Sequence, residues 1–335
     1  MRRLAAFLAV LACPLAATVP AQGASWARDE IRAAVRSGLM GPSVQAFRPD
    51  AILTRRELAA IVAGVTRKAQ TVSGPEQPVT MTQLNRALVR AVGLASAGEA
   101  VQRELVAAGL TPPRRAGWET VARSLGLRYN HPAATDFREL LPGDRATRAE
   151  AAYSVAELLE LSSWELERAR ELANSFDLPP LGEWQRRVLR RGVRFVGYPY
   201  VWGGTSESRQ TLFGVTSRGG FDCSGFVWRV FKLEPYPGGS RLASTLRGRT
   251  TYQMSGEVTG SARIRRGDLR PADVIFFGSR GPSSAPAEVS HAGIAVGNGW
   301  FVHSSGDGTT IARLEGWYEF RYAWARRPLR EAGLL

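Results

Sequence analysis

The sequence predicts an α+β protein built in two parts. Residues 24–178 read as a mostly α-helical domain, and residues 184–331 as helices packed on an antiparallel sheet. Three observations carry this. Apolar residues recur at spacings of three and four through the first part, the period of a half-buried helix. The cluster Pro179-Pro180-Leu181-Gly182 then interrupts the chain, which makes 179–183 a linker. Beyond it Gly, aromatic and β-branched residues rise, and short apolar runs replace the helical period. A length of 335 residues suits two domains of roughly 100–200 residues each.

The first 23 residues form a secretory signal peptide. Arg2 and Arg3 precede an apolar run from Leu4 to Val19, and small residues offer cleavage after Ala21 or Gly23. The run is short of the roughly 20 apolar residues that span a membrane, and no later stretch reaches that length. The mature protein is therefore expected to be secreted, with no membrane span. Val10-Leu11-Ala12-Cys13 also resembles a lipobox, although the apolar run continues past Cys13 where such a motif ends it.

Helices are predicted over Ile31–Leu39, Arg56–Val65, Leu84–Leu94, Ala149–Leu161 and Trp164–Phe176. One pattern repeats within this region. Phe47-Arg48-Pro49-Asp50 followed by Thr54-Arg55-Arg56-Glu57 returns as Leu140-Leu141-Pro142-Gly143 and Thr147-Arg148-Ala149-Glu150. Each Thr stands three residues before a Glu, the spacing of a capping box that opens a helix. Thr80-Met81-Thr82-Gln83 is a third, weaker copy. Together they resemble S-layer homology modules over about 25–165. That resemblance implies attachment to anionic secondary polymers of a bacterial cell wall, although helix capping alone also explains the pattern.

Once the signal is removed, Cys223 is the one remaining cysteine, so an internal disulfide is excluded. A buried core thiol is one reading, and a reactive one the other. Gly219-Gly220-Phe221-Asp222 leads into it and Ser224-Gly225-Phe226-Val227-Trp228 continues as a helix. Cys223 thus falls in a helical first turn, where free N–H groups and the helix dipole favour a thiolate.

A nucleophile needs a base, and two of the chain's three histidines, His291 and His303, lie in one predicted hairpin. The strands are Asp273–Phe277, His291–Val296 and Trp300–Ser304. A three-residue loop, Gly297-Asn298-Gly299, pairs Gly293 with His303 and sets His291 diagonal to it on the same sheet face. A two-residue loop would instead place the two rings on opposite faces.

Six ordered segments complete the pattern: Tyr200-Val201-Trp202-Gly203-Gly204, Asp222-Cys223-Ser224-Gly225, Thr250-Thr251-Tyr252-Gln253-Met254, Pro271-Ala272-Asp273-Val274-Ile275-Phe276-Phe277, Ser290-His291-Ala292-Gly293-Ile294 and Phe301-Val302-His303. Residues 184–331 resemble the NlpC-type cell-wall cysteine peptidases, which have a papain-like fold. The resemblance implies Cys223 as nucleophile, His291 as base and His303 as the residue orienting the base. It implies substrate-binding roles for Tyr200, Asp222 and Ser224, although helix capping explains the last two equally well. The chain departs from that family in having Ala272 where relatives carry Gly, and in a long interval, 205–220, expected to rim the cleft.

The expected activity is hydrolysis of an amide in peptidoglycan stem peptides, at the bond from the D-glutamate γ-carboxyl to the diamino acid. Peptidoglycan is then the partner and no cofactor is needed. Three rivals stand beside it: a zinc site on Cys223, His291 and His303, a wall-binding protein with a weak or inactive peptidase part, and an acyltransferase. A nucleic-acid partner is disfavoured by export. The net charge of +14 divides unevenly, with 20 basic and 18 acidic residues over 24–178 against 22 and 12 over 179–335. Five arginines, Arg186, Arg187, Arg190, Arg191 and Arg194, crowd one predicted helix. They are either a solvated face or a means of steering this part onto an anionic wall.

Overall fold

The computed structural model describes residues 25–68 and 76–335. The predicted signal and the motif ending at Cys13 lie outside them. The first part contains α1 (Arg28–Arg36), α2 (Arg55–Thr66), α3 (Met81–Ala91), α4 (Ala95–Ala107), α5 (Ala116–Ser124), α6 (Arg148–Glu160) and α7 (Ser163–Asn174). The helical period located α1–α3, α6 and α7 to within a few residues. It missed α4 and α5, whose Ala- and Gly-rich faces pack too closely to need a strong apolar stripe.

The repeated Thr residues open α2, α3 and α6 by capping. Thr54, Thr80 and Thr147 each accept the N–H three residues ahead. Glu57 and Gln83 return the bond, whereas Glu150 turns its carboxylate to His131 Nε2 at 3.4 Å. The three copies also close on one another. Leu53 N–H donates to the Ala146 carbonyl (2.9 Å), Ala146 N–H to Val79 (2.8 Å) and Val79 N–H to Leu53 (3.0 Å). A second ring joins Arg55 to Gln77, Met81 to Asp144 and Arg148 to Ala51. The repeat is thus a pseudo-threefold knot of backbone, which a single copy lacks the partners to form.

The second part opens with α8 (Glu183–Arg194). Short strands β1 (Thr205–Ser206), β2 (Gln210–Leu212), β3 (Val215–Ser217) and β4 (Gly220–Phe221) follow, with β1 paired to β4 and β2 to β3. Then come α9 (Cys223–Phe231), α10 (Leu242–Thr245) and α11 (Thr251–Gly256). The main sheet comprises β5 (Val274–Gly278), β6 (Val289–Gly297), β7 (Trp300–Ser305), β8 (Gly308–Arg313) and β9 (Tyr322–Arg326), with α12 (Trp317–Arg321) before β9 and α13 (Pro328–Glu331) after it. Its order is β8-β7-β6-β5-β9, antiparallel throughout. The buried Phe226, Val227 and Val230 carry α9, which packs against β6 and β7.

The β6–β7 hairpin corrects one expectation and keeps its result. Gly297 pairs with Trp300, so the loop has two residues, Asn298 and Gly299, both with positive φ (48° and 77°). This is the geometry that matches strand twist. A bulge between Ala295 and Gly297 absorbs one residue and restores the pairing of Gly293 with His303. Just before β5, Ala272 is held at φ 70°, a conformation that favours Gly, and Asp273 beyond it accepts two 2.8 Å bonds from Arg327.

The two parts share one buried core. Within the segment predicted as a linker, Leu181 is buried and Pro179 packs against Gly297, while the preceding Leu178 donates its N–H to Glu104 (3.0 Å). The buried Arg123 of α5 donates to the carbonyls of Asp307 and Gly197 across the boundary and sits 3.6 Å from the buried Glu119. The α8 arginines are also engaged. Arg190 donates to the Gly109 carbonyl (2.7 Å), Arg191 pairs with Glu234 (2.6 Å) and Arg187 lies 3.9 Å over the Trp184 ring. Chemical denaturation is expected to show Thr147→Ala losing about 1 kcal/mol. Arg123→Ala is expected to lose about 3 kcal/mol, because Glu119 and two carbonyls remain buried without it.

Candidate active site

Cys223 is the first residue of α9, and the helix is seated by close backbone contact. A Cβ on Gly225 would run into the Gly204 carbonyl, and one on Gly220 would come within 2.7 Å of the Pro199 carbonyl. The glycines flanking Cys223 therefore let the Tyr200–Gly204 strip lie directly against the helical N-terminus. Asp222 is the N-cap and accepts the Gly225 N–H. Cys223 is 8% exposed, with its Sγ 3.9 Å from the Ser290 carbonyl, one residue before His291.

The structure brings His291 and His303 together. Their rings are perpendicular, and His291 Nε2 lies 2.9 Å from His303 Nδ1. That contact occupies one nitrogen of His291 and leaves Nδ1 to accept a proton. It also leaves no room for a metal between them. Among the described residues no three His, Cys, Asp or Glu side chains form a metal-holding group. Phe277, Trp317 and Tyr318 surround His291, while Phe301 and Tyr318 flank His303, which is 1% exposed.

Burial sets the charge states. It lowers His291 to about 4 and holds His303 well below its ordinary value, where the neighbouring His291 pushes it further. Burial, with the adjacent Asp222 carboxylate, pushes the Cys223 thiol up to about 12. The resting pair is therefore a neutral thiol and a neutral imidazole. The sequence-based expectation of a preformed thiolate is thus corrected: desolvation outweighs the N–H groups of one helical turn. With His291 accepting at Nδ1, its own proton sits on Nε2 and is donated to His303 Nδ1, which places the His303 proton on Nε2. Among the described residues His303 Nε2 has no hydrogen-bond partner, and the residue lines a cavity of about 370 Å³ between the two parts of the chain.

Tyr200 lies beside the same centre. Burial, then the nearby Cys223 and Asp222, raise its hydroxyl well above the usual range, so it remains a hydrogen-bond donor. Asp222 and Ser224 are already occupied. Arg249 Nη2 reaches both Asp222 oxygens at 3.1 Å and the Gly203 carbonyl at 3.0 Å, while Nη1 donates to Ser224 Oγ at 2.7 Å. Sequence reasoning missed Arg249, although it immediately precedes the Thr250-Thr251-Tyr252-Gln253 segment already singled out. Asp136, from a 3-10 turn of the helical part, accepts the Trp202 N–H at 3.3 Å and is pushed up to about 6 by burial. Nothing local in the sequence signals that contact.

Residues 197–327 match the NlpC/P60 family model, and residues 21–59 match the S-layer homology domain model. The second and third Thr repeats lie outside the S-layer homology match, tied to the first by the backbone rings. The murein DD-endopeptidase MepH of Escherichia coli is 33% identical over 145 residues, 42% of this chain and 45% of that protein. The probable peptidoglycan endopeptidase LytE of Bacillus subtilis is 34% identical over 142 residues, 42% of this chain and 34% of that protein. A γ-D-glutamyl-L-lysine dipeptidyl-peptidase of Bacillus subtilis is 29% identical over 151 residues, 43% and 41% respectively. The chain spans less than half the length of these three relatives. Among solved structures, an NlpC/P60 family protein from Bacillus cereus is 25% identical, with 46% of this chain and 42% of that one covered and a TM-score of 0.33.

Two pH effects follow from the charge states. Between about 6.5 and about 4 the unfolded chain takes up a proton that folded His291 refuses, so thermal stability is expected to fall on acidification through that window. Alkylation of Cys223 by iodoacetamide, followed by mass spectrometry, is expected to be slow at neutral pH and to accelerate as pH rises toward 12.

Proposed function

We propose that this protein is an exported cysteine endopeptidase that hydrolyses amide bonds in peptidoglycan stem peptides, at the bond between the D-glutamate γ-carboxyl and the diamino acid. The observation that carries the reading is a helix-start thiol whose Sγ lies 3.9 Å from the Ser290 carbonyl, one residue before a His291 whose Nε2 is held by His303. The match to the NlpC/P60 family and the peptidase activities of the similar proteins support it.

Cys223 Sγ gives its proton to His291 Nδ1 as it attacks the carbonyl carbon. Transfer in concert with attack suits a thiol that burial keeps protonated. The oxyanion meets backbone N–H groups at the start of α9 and the Tyr200 hydroxyl. His291 then passes its proton to the leaving amine, and the C–N bond breaks to give a thioester. Water, deprotonated by His291, cleaves the thioester and restores the thiol. His303 accepts the His291 Nε2–H throughout, which fixes the tautomer and steadies the transient imidazolium.

In this reading residues 25–165 attach the enzyme to an anionic wall polymer. Bulk charge contributes little, since residues 24–178 hold 20 basic against 18 acidic groups.

Mass spectrometry of muropeptides after digestion tests the proposal. Wild type is expected to release fragments cut at the γ-D-glutamyl bond, and Cys223→Ala none. Fragments cut only at the D,D cross-link overturn the bond assignment, and equal release by Cys223→Ala overturns the mechanism. His303→Ala is expected to lower kcat about 100-fold with KM little changed.

A further inference from the structure

The 205–220 interval contains a feature that the hydrolytic mechanism does not use. Strands β2 and β3 form a hairpin closed by Phe213 and Gly214, with Leu212 paired to Val215. Both loop residues have positive φ, 49° and 83°, the geometry that favours Asn-Gly. Phe213 is the wrong residue for that position on backbone grounds, and it is wrong for solubility too, being 82% exposed. A residue that costs the fold in both ways and touches little of it points to a function outside the fold.

Its ring is not loose in solvent. A Cβ on Gly203 would lie 2.9 Å from Phe213 Cε2, so the ring covers the open face of Gly203, next to Trp202, which is 57% exposed. The base of the hairpin is fixed to the lead-in of the nucleophile. Gln210 accepts the Thr205 N–H at 3.0 Å and donates to the Gly220 carbonyl at 2.8 Å, three residues before Cys223. Trp202 is held by Asp136, and Arg218 lies 3.6 Å from Asp144 of the helical part. Two exposed aromatic residues thus stand on a braced backbone, on the Tyr200 side of the cleft. The same hairpin carries two exposed hydroxyls, Thr211 and Thr216, bonded to each other across it at 2.8 Å.

We infer that Trp202 and Phe213 form a carbohydrate-binding platform that takes hexopyranose rings of a glycan strand. The C–H face of a pyranose stacks on the negative face of an aromatic ring, and its hydroxyls need the polar surround present here. Two rings are far too small for a stable protein complex, which buries about 800 Å² per partner. The inference rests on the proposed function, because a stem peptide in the cleft brings its glycan strand alongside. It makes the enzyme one that reads the sugar as well as the peptide.

The test uses chitohexaose, which a peptidase does not cut, with the full chain in isothermal titration calorimetry. Wild type is expected to bind, and Phe213→Asn and Trp202→Ala to weaken binding about tenfold each. Phe213→Asn is also expected to raise Tm, since Asn suits the turn, which separates lost binding from lost folding. No binding by wild type, or equal affinity in both variants, overturns the platform. The muropeptide digest is read separately. A chain that binds chitohexaose but cuts nothing keeps the platform and loses the peptidase reading, and the reverse result does the opposite.

Discussion

Everything at the site depends on the pairing of β6 with β7. Side chains alternate across a strand, so a one-residue slip would turn His303 away from His291 and leave two unrelated imidazoles. The bulge after Ala295 is the device that prevents this. It lets the hairpin use the tight Asn298-Gly299 turn while keeping both rings on one face. The 2.9 Å contact between the imidazoles follows from that register, and so does the freedom of His291 Nδ1. The aromatic side chains around the pair then determine that neither ring carries charge at rest.

Neutrality shapes the chemistry. A preformed thiolate is reactive toward any electrophile that reaches it, whereas a thiol raised by burial and by Asp222 ionises only as its proton is taken. Arg249 belongs to the same logic: it neutralises Asp222 and holds Ser224, which keeps a carboxylate next to the nucleophile from raising its cost of ionisation further.

Much of this was legible in the sequence, and the failures have physical causes. The placement of Cys223 at a helix start and of His291 beside His303 was legible because a helix start and a hairpin are local patterns, readable from glycines and from alternation. The helices opened by Thr54, Thr80 and Thr147 were legible for the same reason. The closure of those three repeats into backbone rings was not, because N–H and carbonyl groups are common to every residue. Arg249 and Asp136 act across long sequence separations, and a single charged residue gives no hint of where it will fold. The thiol's protonation state was misjudged because burial is a property of the assembled fold, whereas the helix dipole can be inferred from a segment.

The continuous core changes what the helical part is. Arg123 spends its guanidinium on carbonyls at Gly197 and Asp307, the latter only four residues beyond His303, and Leu181 is buried between the halves. A domain joined by a free tether can be exchanged between proteins like a bead on a string. Here the seam is structural, so recombination at residues 179–183 would deliver a catalytic half with a raw apolar face and two stranded carbonyls. Descent should therefore have carried these two halves together, with changes on α5 answered by changes at the β7–β8 turn.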